Sequence, residues 1–303
     1  MRDPRRVNGA ACVGVVVSAI LAMSGCAPAA DTVPAVATPS LVLSAPRAAP
    51  GGPLDVTYTF TVPAGAAALP ADEWVFVHVV DERNQLLWTD DHAPSTPTQT
   101  WRAGTPVVYT RTMFVPRGST LGAVRIEVGL FSRKTGERLP LAGNDRGMRS
   151  YEAATFSIVP GAASPVVAGN GWYDPEAGDG PGREWQWSRM EGHLSFPNPK
   201  TPITFYLQVD QPVTTLPASQ GVEVRGPGGV LETFTLAPGA PRVSRLPLST
   251  DQMGTGDRVD LTIVVSTTFV PAATAGLKST DSRELGIRLL NAFVEPREAR
   301  PAP

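Results

Sequence analysis

Hydrophobic and polar residues alternate with a period of two along most of the chain. In LDVTYTFTV, residues 54–62, apolar or aromatic residues hold every second position, and Asp or Thr holds the others. ITFYLQV (203–209) and VDLTIVV (259–265) repeat this pattern, and EWVFVHVV (73–80) is largely apolar on both faces. A period of two places successive side chains on opposite faces of a strand. Because no stretch sustains a helical period, the pattern predicts an all-β chain.

Turn-forming residues separate these segments about every 8 to 12 residues, a spacing typical of β-sandwiches rather than of βαβ units. Gly136 lies where a hairpin turn requires a positive φ. We predict an all-β fold of two tandem antiparallel β-sandwiches, Ig-like or jelly-roll in type. The predicted ranges are a first sandwich at 41–160, a small-residue linker at 161–171, a second, jelly-roll-like sandwich at 172–296 and a tail at 297–303.

The first 25 residues have the composition of a bacterial secretion signal. Three arginines precede an apolar run, residues 10–23, that is too short to span a bilayer comfortably. The Ser-Gly pair directly before Cys26 resembles the bacterial lipobox, although Met23 stands where Leu is usual. The resemblance implies cleavage before Cys26 and lipidation of that cysteine, with a flexible tether continuing over residues 26–40. An ordinary signal peptide cut elsewhere is the alternative.

The composition limits the classes of partner and the cellular location that the protein can have. A formal net charge of −2, with 18 % charged residues, argues against a nucleic-acid-binding or polybasic membrane surface. The two cysteines are Cys12, inside the signal, and Cys26, so the mature chain would hold no disulfide. We expect a protein of the bacterial cell envelope, outside the cytoplasm and attached to the membrane by its lipid. Ala27 is not acidic, which favours the outer membrane in a cell with two membranes.

Two parts of the sequence resemble modules of bacterial envelope proteins. The segments at 75–94, 97–109 and 124–141 are similar, in order, to β-sandwich segments in the non-cytoplasmic parts of bacterial membrane glycosyltransferase-like proteins, with Asn84 where those segments usually turn through Gly. GWYDPE, EWQWS and DSRELGIRL in the second half resemble a jelly-roll module of similar proteins. The resemblance implies a role beside envelope glycan metabolism as an accessory module, and it carries over no catalytic residue.

One stretch of the first half concentrates the side chains that do chemistry. LWTDDHAPSTPTQTW, residues 87–101, contains Asp90, Asp91 and His92, which could bind a metal, act in catalysis or form a turn. The turn is favoured, because the chain has only three histidines and zinc sites usually need several converging His or Cys ligands. The aspartates would then accept hydrogen bonds from backbone N–H groups. For His78, a hydrogen-bonded interior histidine is favoured over a metal ligand.

The second half contains candidate ligand-binding residues. Asp174, Glu176 and Asp179 lie in a glycine-rich loop that could bind Ca²⁺, although the EF-hand pattern is missing and a solvated loop is the simpler interpretation. The aromatic residues of this region would form a sugar-stacking platform if exposed, and part of the core if buried. They are Trp172, Tyr173, Trp185 and Trp187.

The sequence contains no G-x-S-x-G, H-E-x-x-H, P-loop or dinucleotide-binding signature. The leading hypothesis is therefore a non-enzymatic binding or scaffolding module that contacts a glycan or an envelope protein, without a cofactor unless the loop binds calcium. One alternative is a glycan-active hydrolase or transferase accessory with an unrecognised pair of carboxylates. Another is a purely structural lipoprotein that interacts with other proteins.

Overall fold

The computed structural model describes residues 33–66, 68–69, 71–161, 165–178, 182–213, 219–239 and 241–297. Its strands form two β-sandwiches in tandem, which confirms the predicted fold class. The predicted signal peptide, Cys26 and most of the predicted tether lie outside the described residues. Within those ranges, no helix has the length and apolar character of a membrane span.

The first sandwich contains ten strands in two sheets. One sheet has the order β1-β3-β6, and the other has the order β2-β10-β7-β4-β5, with β8 beside β7 and β9 beside β10. All pairings are antiparallel except the short parallel one between β2 and β10. The strands are β1 (Thr38–Leu43), β2 (Arg47–Ala48), β3 (Pro53–Thr61), β4 (Trp74–Asp81), β5 (Leu86–Thr89), β6 (Val107–Phe114), β7 (Gly122–Phe131), β8 (Arg138–Leu139), β9 (Asn144–Asp145) and β10 (Tyr151–Ile158), with a 3-10 turn at Thr98–Thr100.

The second sandwich contains two five-stranded sheets, with the orders β11-β14-β19-β16-β17 and β12-β13-β20-β15-β18. Its helices are α1 (Thr250–Met253) and a 3-10 turn at Pro271–Ala273. The strands are β11 (Val167–Ala168), β12 (Glu176–Ala177), β13 (Glu184–Trp187), β14 (Glu191–Pro197), β15 (Ile203–Asp210), β16 (Gln220–Gly226), β17 (Gly229–Leu236), β18 (Arg242–Leu248), β19 (Arg258–Val265) and β20 (Arg288–Pro296).

The alternating pattern explains both cores. In β3, Leu54, Val56, Tyr58 and Phe60 are buried between the sheets, and the residues between them face outward. In the second sandwich, Phe196 and Phe205 face each other from opposite sheets, with ring centroids 5.7 Å apart. Full burial of one such side chain contributes about 1.5–3 kcal/mol. The same alternation therefore specifies the strands and the face that each strand buries.

Two predicted boundaries are wrong because strand pairing extends further than the pattern indicates. β1 begins at Thr38, inside the predicted tether, and Ala37 already bridges to Leu141. β11 lies inside the predicted linker and pairs with β14, so the second sandwich begins before residue 172. Each of these added pieces is too short to show a period by itself, and its conformation depends on the neighbouring strand.

A β-bulge in β20 changes which side chains face out of the second sandwich. Gln208 is opposite Asn291 and Val209 is opposite Leu289, so Leu290 is an extra residue in the ladder. Leu289 and Ala292 are both buried, whereas the two residues between them are half-buried on the outer face. Bulges commonly re-aim side chains in this way. Here the bulge places Leu290 and Asn291 next to each other on the outer face.

The outer face of the β20 sheet packs against the first sandwich within one compact unit. Arg245 of β18 forms an ion pair with Asp55 of β3. Arg117 Nη2 donates to the carbonyl of Ala292 across 3.0 Å. These contacts hold the two sandwiches side by side and leave a cleft between them.

Candidate functional site

The cleft between the two sandwiches has a volume of about 550 Å³. Its first wall comes from β5 and β6, and its second wall comes from β13, β15 and β20. The cleft thus brings together the Asp-rich stretch of the first half and one of the candidate tryptophans of the second half. The described residues that matter most for its chemistry are Trp88, Asp90, Trp185, Gln208, Asp210, Arg288 and Asn291.

The Asp-rich stretch continues the β4–β5 pairing instead of ending it in a turn. Asp90 N donates to the carbonyl of Val77 (2.9 Å), and His92 pairs with Val75 as an isolated bridge. Val77 N donates to Asp91 Oδ1 (3.0 Å), so a side chain replaces a backbone acceptor in the ladder. The prediction that an aspartate here bonds a backbone N–H is confirmed for Asp91, and the predicted turn is wrong.

His92 is a buried structural residue. It is 4 % exposed, its Nδ1 lies 2.8 Å from the carbonyl of Asp90, and its Nε2 lies 2.9 Å from the Tyr109 hydroxyl. A carbonyl only accepts, so Nδ1 carries the proton and Nε2 accepts from Tyr109. Burial, together with the nearby charge of Arg111, lowers the pKa of His92 to about 3. His92 is therefore a neutral interior histidine.

The predicted interior role of His78 is only partly right. Its side chain is half-buried on the outer face of β4, and its ring packs on Phe76 with centroids 4.8 Å apart. Within the described ranges, the ring makes no side-chain hydrogen bond, and burial lowers its pKa.

Asp90 is the most perturbed carboxyl group of the cleft. Burial raises its pKa to about 6, against the opposing charge of Arg111, whose Nε lies 3.7 Å from Asp90 Oδ2. Both of these atoms are buried without a hydrogen-bond partner among the described residues. Asp90 therefore presents a carboxyl group that can be protonated near neutral pH on the wall of the cleft.

The opposite wall contains an ion pair and an aromatic ring. Arg288 Nε and Nη2 donate to the two carboxylate oxygens of Asp210, across 2.8 and 2.5 Å. The guanidinium carbon of Arg288 lies over the rings of Trp185 (4.9 Å) and Trp187 (5.9 Å). This geometry combines a two-point ion pair with cation–π contacts, and it fixes the orientation of Arg288.

The four candidate aromatic residues do not form one platform. Trp187 is 8 % exposed and packs edge-on against Phe269, so its interpretation as core is correct. Trp185 is half-buried on the cleft wall, and its Nε1 donates to Glu176 Oε2 (3.2 Å). Of the four, only Trp185 lines the cleft.

The other two aromatic residues lie elsewhere on the second sandwich. Trp172 covers Gly192, where a Cβ would come within 2.6 Å of the ring, and its Nε1 donates to the His193 carbonyl. The ring of Tyr173 has the guanidinium groups of Arg189 and Arg283 over it, at 4.7 and 5.1 Å. Each ring thus has a local packing partner of its own.

The calcium hypothesis stays a prediction. Glu176 Oε1 accepts from Arg283 Nη2 (2.7 Å) and its Oε2 accepts from Trp185, so both of its oxygens have partners. Asp174 is exposed, and Asp179 lies outside the described residues. Among the residues that the structure describes, no three His, Cys, Asp or Glu side chains converge as metal ligands.

Sequence reasoning missed four residues of the second wall. Asp210 is the last residue of β15, and Arg288, the first residue of β20, pairs with it. Gln208 and Asn291 form a hydrogen-bonded amide pair, in which Asn291 Nδ2 donates to Gln208 Oε1 across 2.7 Å. The sequence did contain one signal of the bulge in β20. In RLLNAFV, residues 288–294, two successive leucines break the period of two, as a bulge does.

No protein-family model matches the sequence, and no curated protein matches it. Solved structures align at low similarity. The CBM36-1 domain of a multidomain xylanase from the hindgut metagenome of Trinervitermes trinervoides is 8% identical, covers 45% of this chain and 99% of its own, and has a TM-score of 0.26. The N-terminal CBM22-1-CBM22-2 tandem domain from Paenibacillus barcinonensis is 10% identical over 82% of this chain and 79% of its own, with a TM-score of 0.29.

An exo-beta-1,3-galactanase from Phanerochaete chrysosporium is 9% identical over 86% of this chain and 57% of its own, with a TM-score of 0.27. These similar structures are therefore carbohydrate-binding modules and a glycoside hydrolase. At such scores the likeness carries no argument about function, and the fold class rests on the strands themselves.

Proposed function

We propose that the chain is a non-enzymatic glycan-binding protein of the bacterial cell envelope, held at the membrane by a lipid on Cys26. The cleft between the sandwiches is its proposed binding site. One observation carries this proposal: the cleft joins a half-buried tryptophan to polar side chains held in place by neighbouring contacts. Ligand sites usually combine apolar walls with a few positioned polar groups. A sugar ring matches such a site, because its C–H faces are apolar and its hydroxyl edges form hydrogen bonds.

The binding proposal is tested by a glycan array probed with the purified full-length chain in detergent. Trp185→Ala should weaken binding about two- to tenfold, because an aromatic contact contributes about 0.5–1.5 kcal/mol. Trp74→Ala is the matched control, since Trp74 is also half-buried under a guanidinium group, that of Arg133 at 4.2 Å, and does not line the cleft. Circular dichroism establishes that both variants are folded. No glycan binding, or equal losses in both variants, would refute the proposal.

The lipid anchor is tested separately in cells. We expect Cys26→Ser to abolish incorporation of an alkyne-labelled fatty acid and to release the protein from the membrane fraction, because lipid supplies most of the membrane affinity of such proteins. A variant that stays in the membrane fraction would contradict the anchor. This result does not depend on the cleft.

A second candidate function, glycan hydrolysis, is favoured by Asp90. A carboxyl group with a pKa of about 6 suits a general acid, and Asp210 provides a second carboxyl group across the cleft. Release of reducing ends from a bound glycan, lost about 100-fold or more in Asp90→Asn with binding retained, would support hydrolysis. Glycan binding without release of reducing ends would argue against hydrolysis and keep only the binding function.

A further inference from the structure

We infer that the cleft selects an uncharged, hydroxyl-rich ligand, a neutral glycan, through the amide pair of Gln208 and Asn291. The inference rests on the proposed binding function and specifies its ligand class. Both residues lie on the outer face of adjacent strands, half-buried and lining the cleft. The β20 bulge is what brings Asn291 to this face.

The amide pair leaves one NH₂ group and one carbonyl group wholly available to a ligand. With Asn291 Nδ2 bonded to Gln208 Oε1, the remaining groups are the Gln208 NH₂ and the Asn291 carbonyl, which have no partner among the described residues. Exchanging oxygen and nitrogen in both amides would again leave one carbonyl and one NH₂. The complementarity therefore does not depend on how the two amides are oriented.

This pairing discriminates between chemical classes of ligand. A hydroxyl group donates and accepts, so two neighbouring hydroxyls satisfy both amide groups at once. A carboxylate, phosphate or sulfate only accepts, and would leave the amide carbonyl facing a lone pair. An ammonium group only donates, and would leave the amide NH₂ unsatisfied. A desolvated polar group without a partner costs about 1–3 kcal/mol, which is about fivefold to a hundredfold in affinity.

The charges of the cleft are largely neutralised within the protein. Asp210 pairs with Arg288, and Asp90 lies beside Arg111. Asp91 keeps its negative charge, and its Oδ1 accepts from the backbone N–H of Val77. The remaining charges that line the described part of the cleft are Arg183 and Glu184, which are adjacent, opposite in sign and exposed. Exposed charges of this kind contribute little to binding in salt. The described lining set therefore provides no buried cation without an acidic partner, which an acidic ligand would need.

The apolar wall fits the same ligand class. Trp185 and Leu290 lie on the outer face of neighbouring strands, and Phe114 and Pro116 come from the first sandwich. Apolar surface next to a donor–acceptor pair matches a pyranose ring, which has C–H faces and hydroxyl edges. A fully charged or fully apolar ligand would match only one of these surfaces.

The test uses the full-length chain on an array that holds neutral glycans, uronic-acid polymers and unacetylated amino-sugar polymers. Binding should be confined to neutral glycans. The dissociation constant should change less than about twofold between about 0.05 M and about 0.5 M NaCl, although the Debye length then shortens about threefold. Asn291→Leu and Gln208→Met should each weaken binding about tenfold. Gln99→Met is the matched control, because Gln99 is exposed and does not line the cleft.

The outcomes separate the two proposals. Binding confined to acidic or cationic glycans, or binding that falls about tenfold or more with salt, would overturn the neutral class and keep glycan binding. Neutral-glycan binding that is insensitive to both amide substitutions would overturn the role of the pair. Failure to bind any glycan, with the chain shown to be folded, would overturn the proposed function as well.

Discussion

The ion pair between Asp210 and Arg288 should be a large single contribution to the stability of the second sandwich. Asp210 is 4 % exposed, and the side chain of Arg288 is 21 % exposed, so both charges are mostly removed from water. Arg288→Met keeps most of the side-chain volume and removes the charge. It leaves the Asp210 carboxylate buried without its counter-ion, which costs about 3–5 kcal/mol in such pairs. Loss of the cation–π contact with Trp185 adds about 0.5–2 kcal/mol.

The assay is urea and thermal unfolding followed by tryptophan fluorescence and circular dichroism. For the transition of the second sandwich we expect a midpoint about 10–30 °C lower in Arg288→Met. The summed loss is about 3.5–7 kcal/mol, and 1 kcal/mol corresponds to about 2–4 °C in a domain of about 150 residues or more, and to more in a smaller one. The double variant Arg288→Met, Asp210→Leu should recover most of the loss, because replacing a buried pair with apolar residues is often neutral. A single variant within about 1 kcal/mol of wild type, or a double variant as unstable as the single one, would refute the reasoning.

Three further substitutions test individual contacts. The folded-state pKa of Asp90 is raised from 3.8 to about 6, so the native state binds more protons than the unfolded state between these pH values and loses up to about 3 kcal/mol of stability as pH rises through them. Asp90→Asn should therefore gain stability relative to wild type at pH 7 but not at pH 3.5, as measured by urea unfolding. The pKa of His92 is lowered from 6.5 to about 3, so the stability that the neutral ring contributes is present above pH 6.5 and is lost as pH falls towards 3. The stability of His92→Gln relative to wild type should improve over that acid range, and a difference that does not change with pH would contradict the buried neutral histidine. Gly192→Ala brings a Cβ within 2.6 Å of the Trp172 ring and should cost about 1–3 kcal/mol, with a shift in tryptophan fluorescence; an unchanged midpoint would mean that the ring moves freely.

The fold could be predicted from the sequence because its information is local. Alternation in segments such as 54–62 depends only on residues two positions apart, and the buried face of β3 follows directly from it. Gly136 shows the same locality, since its φ of 75° is a property of one turn. The turn at Asn84 has a φ of 64°, which Asn tolerates in place of Gly because its short side chain fits the left-handed region.

The cleft could not be predicted from the sequence because its walls come from distant segments. Asp90 and Arg288 are almost two hundred positions apart, and their relation depends on how the outer face of one sandwich packs on the other. Trp185 and Trp187 show the limit of a periodic argument. Their spacing indicates a shared face, but only the tertiary packing decides that Phe269 covers one ring while the other remains on the cleft wall.

The bulge in β20 links the strand pattern to the proposed specificity. In a regular strand, successive residues face opposite sides, so an outward Leu290 would place Asn291 in the core, where its amide would need buried partners. The extra residue lets both face the cleft and keeps Ala292 and Val294 in the core. An apolar side chain and an amide thus lie side by side on one surface, an arrangement that strict alternation along a strand does not allow. The break in the sequence pattern at 289–291 therefore marks the position where the outer face acquires the mixed surface on which the proposed specificity rests.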